Sequence, residues 1–225
     1  MFDAYLFDFD GVIVNSEHLT LKAVHDVLKN EGVSETLWPS TNYQGWSWQA
    51  IKGDVDSLDL IHAAPPVHAY STAFDRLFHE TIPEPIAGIS TVLQKAAELG
   101  RVGIVTASAG GVVRTCLQHY GWSEHISCVM SAELYSQSKP HPECYLRAAE
   151  LLEAELSKTI IFEDSDVGLT GAKASGATVV AICGEHARST LLKHRADAYW
   201  TDFSSAVHSE IFGGSIALSP QKLSE

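Results

Sequence analysis

From about residue 86 onward, short apolar runs alternate with segments in which apolar residues recur every three or four positions. The short runs predict buried strands, and the three- and four-residue spacing predicts helices with one apolar face. The predicted strands, including one at the amino terminus, are Tyr5–Phe9, Val102–Thr106, Cys128–Ser131, Thr159–Glu163 and Thr178–Cys183. The predicted helices are Ile89–Leu99, Gly111–His119, Pro142–Glu153 and Gly168–Ser175. This alternation is typical of a parallel sheet wrapped by helices, so we predict an α/β fold.

The stretch from about residue 15 to residue 82 breaks the alternation. It contains helical patterns at Leu19–Asn30 and Val67–Glu80, but no apolar run typical of a buried strand. We therefore predict a Rossmann-like, doubly wound parallel sheet core formed by residues 1–14 and 83–212. A small helical cap domain, residues 15–82, is predicted to be inserted into it.

Two segments connect the predicted domains. Val14–Glu17 leads into the helical stretch, and Pro83–Pro85, stiffened by its prolines, leads back. Because the chain crosses twice, we expect a hinge motion of the cap rather than free tumbling. Residues 213–225 carry few apolar side chains and are predicted to form a frayed tail.

Acidic residues follow two of the predicted strands. Asp8 and Asp10 end the first strand, and their spacing of two sends both carboxylates to the same side of an extended chain. Glu163 and Asp164 end another strand, and the loops after parallel strands share one edge of the sheet. Converging carboxylates repel one another unless a cation lies between them, and hard oxygen ligands without a nearby Cys or His favour Mg²⁺. The sequence therefore predicts a magnesium site.

These acids also have simpler interpretations. The pattern Asp8–Gly11 occurs in plain turns and in calcium-binding loops, although a calcium loop needs further oxygen ligands where Val12 and Val14 stand. Asp164 and Asp166 are suited to capping the helix that follows, because acids are favoured at a helix amino terminus. For Asp166 we prefer the capping interpretation.

Two further segments supply groups that suit a phosphate. Thr106-Ala107-Ser108 places hydroxyl groups and backbone amides at a strand end, near the amino terminus of a predicted helix, where anions bind. Ser138-Lys139-Pro140 supplies a cation in a loop. A single lysine is usually a solvated surface group, so Lys139 gains significance only beside the acids.

Composition narrows the possible partners. The formal net charge of −13 argues against nucleic-acid binding, which depends on a basic patch. The four cysteines form no C-x-x-C pair, so neither a structural zinc site nor a disulfide framework is expected. No stretch approaches the roughly 20 apolar residues that span a bilayer, and the acids within the amino-terminal apolar run are not typical of a secretory signal. We expect a cytoplasmic protein whose partner is a small phosphorylated molecule, with no nucleic-acid or membrane partner.

The motifs resemble those of a known family when they are taken together. The four segments Asp8–Val12, Thr106–Ser108, Lys139–Pro140 and Glu163–Gly168 resemble, in order and spacing, the four motifs of the haloacid dehalogenase superfamily. The helical stretch resembles that family's cap domain, and the subgroup resembled includes β-phosphoglucomutase, phosphoglycolate phosphatase and sugar-phosphate phosphatases. The resemblance implies a magnesium-dependent phosphatase for a small metabolite of the sugar phosphate or phosphoglycolate class.

The resemblance also implies roles for the motif residues. Asp8 would attack phosphorus to form an aspartyl-phosphate, while Asp10 would protonate the leaving oxygen and later activate water. Thr106, Ala107 and Lys139 would hold the phosphoryl oxygens.

The resemblance implies metal ligands as well. Asp8, the backbone carbonyl of Asp10, and Asp164 would bind Mg²⁺, with Glu163 as a direct or water-mediated ligand.

Other activities of the superfamily fit this sequence less well. A dehalogenase lacks the second aspartate, which is present here as Asp10, and a phosphonate-cleaving enzyme needs a cap lysine in a motif that neither Lys22 nor Lys52 matches. β-Phosphoglucomutase carries a cap histidine and a cap arginine where this chain has Thr20 and Gly45-Trp46-Ser47. A hexose-phosphate mutase is the first alternative, and a non-catalytic phosphometabolite-binding protein is the second.

The cap segment Gly45-Trp46-Ser47-Trp48 is the expected specificity element. Trp46 and Trp48 either form the floor of a substrate pocket or pack inside the cap, and the sequence favours neither interpretation.

Overall fold

The computed structural model describes residues 2–61, 65–183, 193, 196–204, 206 and 209–212. The predicted tail, residues 213–225, lies outside the described residues. The described chain forms a six-stranded parallel sheet with helices on both faces.

The strands are β1 (Ala4–Phe7), β2 (Arg101–Val105), β3 (Cys128–Met130), β4 (Thr159–Glu163), β5 (Thr178–Ile182) and β6 (Ala198–Trp200). They run parallel in the order β3-β2-β1-β4-β5-β6. The central strand β1 is buried along its whole length, as expected for a parallel sheet covered on both faces. Because β1 is central in the strand order, the residues that follow it lie at the middle of the edge formed by the carboxyl ends of the strands.

The helices are α1 (Glu17–Asn30), α2 (Trp48–Ser57), α3 (Val67–Glu80), α4 (Ile89–Leu99), α5 (Gly110–His119), α6 (Glu143–Leu151) and α7 (Asp166–Ser175). Side chains alternate between the two faces of β1. Tyr5 and Phe7 pack into a cluster with residues of α4 and α5, whereas Leu6 packs into a second cluster with residues of α6 and α7. The predicted doubly wound arrangement is thereby confirmed.

Helices α1, α2 and α3 pack together around a hydrophobic cluster of their own, which includes Val24, Ile51 and Tyr70. Leu19 of α1 and Phe78 of α3 also join the cluster on one face of the sheet. The helical segment therefore has its own core and a contact with the sheet. Its description as a separate cap domain stays a prediction.

The two segments that connect the helices to the sheet lie side by side. The backbone amide of Asn15 donates to the carbonyl of Glu84 at 2.9 Å, and the amide of Ile86 donates to the carbonyl of Ile13 at 2.9 Å. Val14 and Pro85 form an isolated antiparallel bridge between these bonds. Hinge motion of the helical segment about this paired connection stays a prediction.

The predicted strands and helices are all present, with ends shifted by no more than two residues. The strand predicted over Tyr5–Phe9 ends at Phe7, because the chain turns through Gly11 at φ +76°. Helix α2 and strand β6 were not predicted. Among the residues described, no helix is both long and apolar enough to cross a bilayer.

Replacing Phe162 by Ala should remove a large part of the stability. Phe162 is wholly buried and stacks on Phe7, with ring centroids 4.6 Å apart. Truncating such a side chain leaves a cavity, and we expect the free energy of unfolding to fall by about 3–5 kcal/mol in urea titrations. The control is Leu151→Ala, at a site 61% exposed, which should change it by less than about 0.5 kcal/mol. Equal losses in the two variants would contradict this packing.

Candidate active site

The register of the sheet brings the acidic segments to one edge. Phe7 pairs with Phe162 of β4 on one side and with Ile104 of β2 on the other. Asp8 follows directly, and its backbone amide donates to the carbonyl of Phe162 at 2.9 Å. The segments that leave β1, β2 and β4 therefore begin next to one another.

Three carboxylates meet at this edge. Asp8, Glu163 and Asp164 each offer an oxygen, and these oxygens lie within 4.8 Å of one another. All three residues are buried, with exposures of 5%, 0% and 4%. The Oδ1 atom of Asp164 is buried without a hydrogen-bond partner among the described residues, which is costly unless another group satisfies it. Hard oxygen donors around an unsatisfied carboxylate oxygen fit Mg²⁺.

The Lys139 ammonium lies between two of these acids. Its Nζ atom is 2.9 Å from Oδ1 of Asp8, 2.6 Å from Oε1 of Glu163 and 3.3 Å from the carbonyl of Val105. These contacts occupy all three N–H donors of the ammonium. A phosphoryl oxygen that binds Lys139 must therefore share or replace one of these bonds.

Burial and crowding shift the titration of the acids. Burial, followed by the repulsion from Glu163, raises the pKa of Asp8 from 3.8 to about 8, although Lys139 opposes the shift. Burial, a hydrogen bond with Glu17 and the charge of Asp8 raise the pKa of Asp164 well above its ordinary value. Burial lowers the pKa of Lys139, but Asp8 and Glu163 outweigh that effect, so its pKa lies well above the usual value. Without a metal, Asp8 and Asp164 therefore keep their protons to a higher pH than ordinary carboxyl groups do, and Lys139 keeps its positive charge.

Tyr145 of α6 also contacts Glu163. Its hydroxyl donates to Oε1 of Glu163 and lies 3.3 Å from the carbonyl of Gly168. The Lys139 ammonium lies 5.4 Å from the centre of the Tyr145 ring. Oε1 of Glu163 is thus engaged by both Lys139 and Tyr145, which leaves Oε2 as the oxygen with more freedom to accept another partner.

The Asp10 carboxylate has a different set of partners from Asp8. The Ser108 hydroxyl donates to Oδ2 of Asp10 at 2.6 Å, and the Ser16 hydroxyl donates to Oδ1. The Thr106 hydroxyl lies 3.4 Å from the same Oδ2. The Asp10 side chain is not part of the three-carboxylate group, and the predicted metal contact of Asp10 involves its backbone carbonyl instead.

The predicted phosphate segment is split between the wall of the pocket and the interior. Ala107 and Ser108 line a pocket that also contains Asp8, Asp10 and Lys139. Thr106 is wholly buried, and its hydroxyl accepts a hydrogen bond from the backbone amide of Ser108 at 2.9 Å. In this structure Thr106 therefore shapes the segment and contacts Asp10, and its predicted contact with phosphate stays a prediction.

The helical segment covers the same pocket. Gly45, Trp46 and Trp48 all line it, as do Glu17, Thr20, Tyr43, Gln44 and Phe74. Trp46 is 36% exposed and meets the Tyr43 ring edge-on, whereas Trp48 packs against Phe74 with ring centroids 5.5 Å apart. Trp48 thus both lines the pocket and packs against Phe74, and a contact of Trp48 or Trp46 with substrate stays a prediction. The space accessible to water in the pocket is about 40 Å³.

Sequence reasoning missed two residues that contact the acids. Tyr145 lies within the predicted helix Pro142–Glu153, where no motif marks it as a contact of the acids. The available signal is that a buried tyrosine hydroxyl needs a hydrogen-bond partner. Gln44 donates from Nε2 to Oδ2 of Asp164 at 2.6 Å and to the Asp164 carbonyl at 3.1 Å. No local pattern marks a contact between residues so far apart in the chain.

The residue that caps α7 is Ser165, not Asp166 as predicted. The Ser165 hydroxyl accepts a hydrogen bond from the Gly168 amide, and Asp166 lies in the first turn of the helix.

In the metal-free protein, raising the pH from about 5 to 8 should lower the free energy of unfolding. The pKa of Asp8 is about 8 in the folded chain and 3.8 ordinarily, so between these values the folded chain holds a proton that the unfolded chain has released. Stability then falls by up to about 1.4 kcal/mol per pH unit for each such proton. Urea unfolding in chelator measures the slope. Asp8→Asn should have a shallower slope, and equal slopes would contradict the assignment.

Known proteins resemble this chain over most of its length. Residues 5–182 match the family model described as haloacid dehalogenase-like hydrolase. The Validoxylamine A 7'-phosphate phosphatase of Streptomyces hygroscopicus subsp. limoneus is 25% identical over 207 residues, which cover 89% of this chain and 97% of that protein. The chloroplastic protein SUPPRESSOR OF QUENCHING 1 of Arabidopsis thaliana is 28% identical over 80% of this chain. The match spans only 18% of that protein's length.

Solved structures show the same fold. A CbbY variant from Rhodobacter sphaeroides, crystallised in complex with xylulose-(1,5)bisphosphate, superposes with a TM-score of 0.74 at 22% identity. The match covers 91% of this chain and 96% of that one. The family model spans most of the chain, including every strand of the sheet except β6 and all three carboxylates. The chain therefore belongs to the haloacid dehalogenase-like hydrolase family.

Proposed function

We propose that this protein is a magnesium-dependent phosphatase that hydrolyses a small phosphorylated metabolite, of the sugar phosphate or phosphoglycolate class, through an aspartyl-phosphate. The observation that carries the proposal is the buried group of Asp8, Glu163 and Asp164, with Lys139 beside it and Asp10 on the wall of the same pocket. The similarity to the Validoxylamine A 7'-phosphate phosphatase supports the reaction class.

The residues at the sheet edge fit Mg²⁺. Asp8 and Asp164 would bind the ion together with the backbone carbonyl of Asp10, and Glu163 would reach it directly or through water. The unpartnered Oδ1 of Asp164 is the observation that supports this fit. When bound, the ion would neutralise charge on the phosphoryl oxygens.

Asp8 is the proposed nucleophile. One of its oxygens would form a bond to phosphorus while the bond from phosphorus to the leaving oxygen breaks, which leaves the phosphoryl group on Asp8. Water would then attack this phosphorus and regenerate the carboxylate with release of phosphate. The hydrogen bond from Lys139 to Oδ1 at 2.9 Å orients the carboxylate for the first step.

Asp10 is the proposed acid and base. It would donate a proton to the leaving oxygen in the first step and accept one from the attacking water in the second. Both of its oxygens accept hydrogen bonds from hydroxyl groups, of Ser16 and Ser108, which fix its orientation towards the pocket.

We further propose that α1–α3 with their connections, residues 15–82, act as a cap that opens and closes. These residues supply most of the lining of the pocket that contains Asp8 and Lys139, so we expect them to move aside when a sugar phosphate enters. The paired connecting segments at Asn15 and Glu84 provide the hinge. Closure would exclude bulk water from the first step.

Phosphate release should require both Mg²⁺ and Asp8. On a panel of sugar phosphates, phosphoglycolate, nucleotides and acyl phosphates, chelator should abolish release. Asp8→Asn should reduce it by about a thousandfold or more, because the nucleophile is lost. Asp10→Asn should reduce it by about 10²–10⁴-fold. The control is Asp166→Asn, since Asp166 lies in the motif of Glu163 and Asp164 but pairs with Lys193 at the surface, and this variant should retain activity.

Two results would point elsewhere. Isomerisation of a hexose 1-phosphate without release of phosphate would indicate a mutase. Binding without turnover of any compound, in both wild type and Asp8→Asn, would indicate a phosphometabolite-binding protein.

Trp46→Ala should raise KM by roughly tenfold, equivalent to ~1.4 kcal/mol, and change kcat less. Trp46 lines the pocket from the proposed cap, so we expect it to contact the body of the substrate. Steady-state kinetics on the best substrate of the panel measures the effect. Leu58→Ala, at an exposed hydrophobic position at the end of α2, should leave KM unchanged. An unchanged KM in Trp46→Ala would exclude this contact.

A further inference from the structure

The segment between α1 and α2 makes direct contact with a proposed metal ligand. Gln44 uses its side-chain amide to donate to Oδ2 of Asp164 at 2.6 Å and to the Asp164 carbonyl at 3.1 Å. Both N–H donors of that amide are thereby engaged on one residue. The two residues are 120 positions apart in the chain, so the contact exists only when the helices lie over the sheet edge.

The residue after Gln44 reinforces the contact. Gly45 adopts φ +73°, and a Cβ atom there would lie 2.4 Å from the Ser165 hydroxyl oxygen. The absence of a side chain thus lets the backbone come close to the segment after β4. Gln44 and Gly45 meet Asp164 and Ser165 as consecutive pairs.

The two oxygens of the Asp164 carboxylate have different surroundings. Oδ2 accepts from Gln44, whereas Oδ1 is buried and has no partner among the described residues. Gln44 therefore fixes the plane of the carboxylate while leaving one oxygen available beside Asp8 and Glu163. An open cap would withdraw Gln44 and remove this restraint on the Asp164 carboxylate.

We propose that Gln44 is a positioning residue that orients Asp164 for Mg²⁺ when the cap closes, so that metal binding and closure strengthen each other. This rests on the proposed function, since it assumes that Mg²⁺ binds at Asp164. The coupling must be reciprocal: if closure raises the affinity for Mg²⁺, Mg²⁺ must favour closure by the same factor. Residues that orient a metal ligand commonly contribute 10- to 100-fold to metal affinity.

Isothermal titration of the full chain with Mg²⁺ alone tests the first half of the proposal. Gln44→Ala and Gln44→Met should each bind Mg²⁺ about 10- to 100-fold more weakly than wild type. The methionine variant keeps the approximate length of the side chain, removes the N–H donors and adds no charge, so it separates hydrogen bonding from packing. Gln49→Ala is the matched control, because Gln49 is an exposed glutamine of α2, and it should bind Mg²⁺ as wild type does.

Amide hydrogen exchange tests the reciprocal half. Mg²⁺ should slow exchange in the segment from residue 42 to residue 47 of wild type and of Gln49→Ala, but not of Gln44→Ala at a Mg²⁺ concentration that saturates it. The proposal would be overturned if Gln44→Ala bound Mg²⁺ with an affinity within twofold of wild type. It would also be overturned if Mg²⁺ slowed amide exchange in this segment equally in wild type and Gln44→Ala. Failure of wild type to bind Mg²⁺, or binding unaffected by Asp164→Asn, would instead overturn the proposed function.

Discussion

A single buried ammonium makes the acidic edge of this sheet possible. Two carboxylates, of Asp8 and Glu163, lie within hydrogen-bond distance of Lys139 Nζ, at depths where water contributes little. The cost of burying each ion is about several kcal/mol, and only a partner with good geometry offsets it.

Hydrogen bonds just before Lys139 hold its loop in place. The Tyr135 hydroxyl donates to the Thr106 carbonyl at 3.0 Å, and Glu143 accepts from two backbone amides of the loop, at 3.0 and 2.8 Å.

The remaining charge leads to the metal. Lys139 pairs with two of the three clustered carboxylates, and Asp164 keeps an oxygen that nothing in the described chain satisfies. Space for these carboxylates comes from two glycines. A Cβ atom on Gly11 would lie 1.6 Å from Oδ2 of Asp164, and one on Gly168 would lie 1.9 Å from Oε2 of Glu163. Any larger residue at either position would displace a carboxylate that we assign to the metal.

The fold could be predicted from the sequence because it depends on periodicity. The strands and helices of the sheet domain carry strong apolar patterns, and acids at the ends of β1 and β4 had to converge once the sheet was parallel. Strand β6, at three residues, was too short to give a pattern. Helix α2 presents only two fully buried side chains, Ile51 and Val55, so its apolar face was too narrow to recognise.

The parts of the site that could not be predicted are contacts between distant segments. Tyr145 reaches Glu163 across 18 residues, and Gln44 reaches Asp164 across 120. Such contacts follow from how helices lie on the sheet, which no local pattern encodes. The contacts of Thr106 could not be predicted either, although its motif was recognised. Its place in a motif was evident, but only the structure shows its hydroxyl occupied by Ser108 and Asp10.

The proposed reaction places the phosphoryl group on Asp8 during turnover. Mass spectrometry of peptides from enzyme quenched in acid during turnover, with Mg²⁺ and the best substrate, tests this most directly. We expect a phosphoryl group on the peptide that contains Asp8, and we expect it to be lost when the quench is delayed until the substrate is exhausted. A phosphoryl group on any other residue, or rapid turnover without a modified peptide, would contradict it.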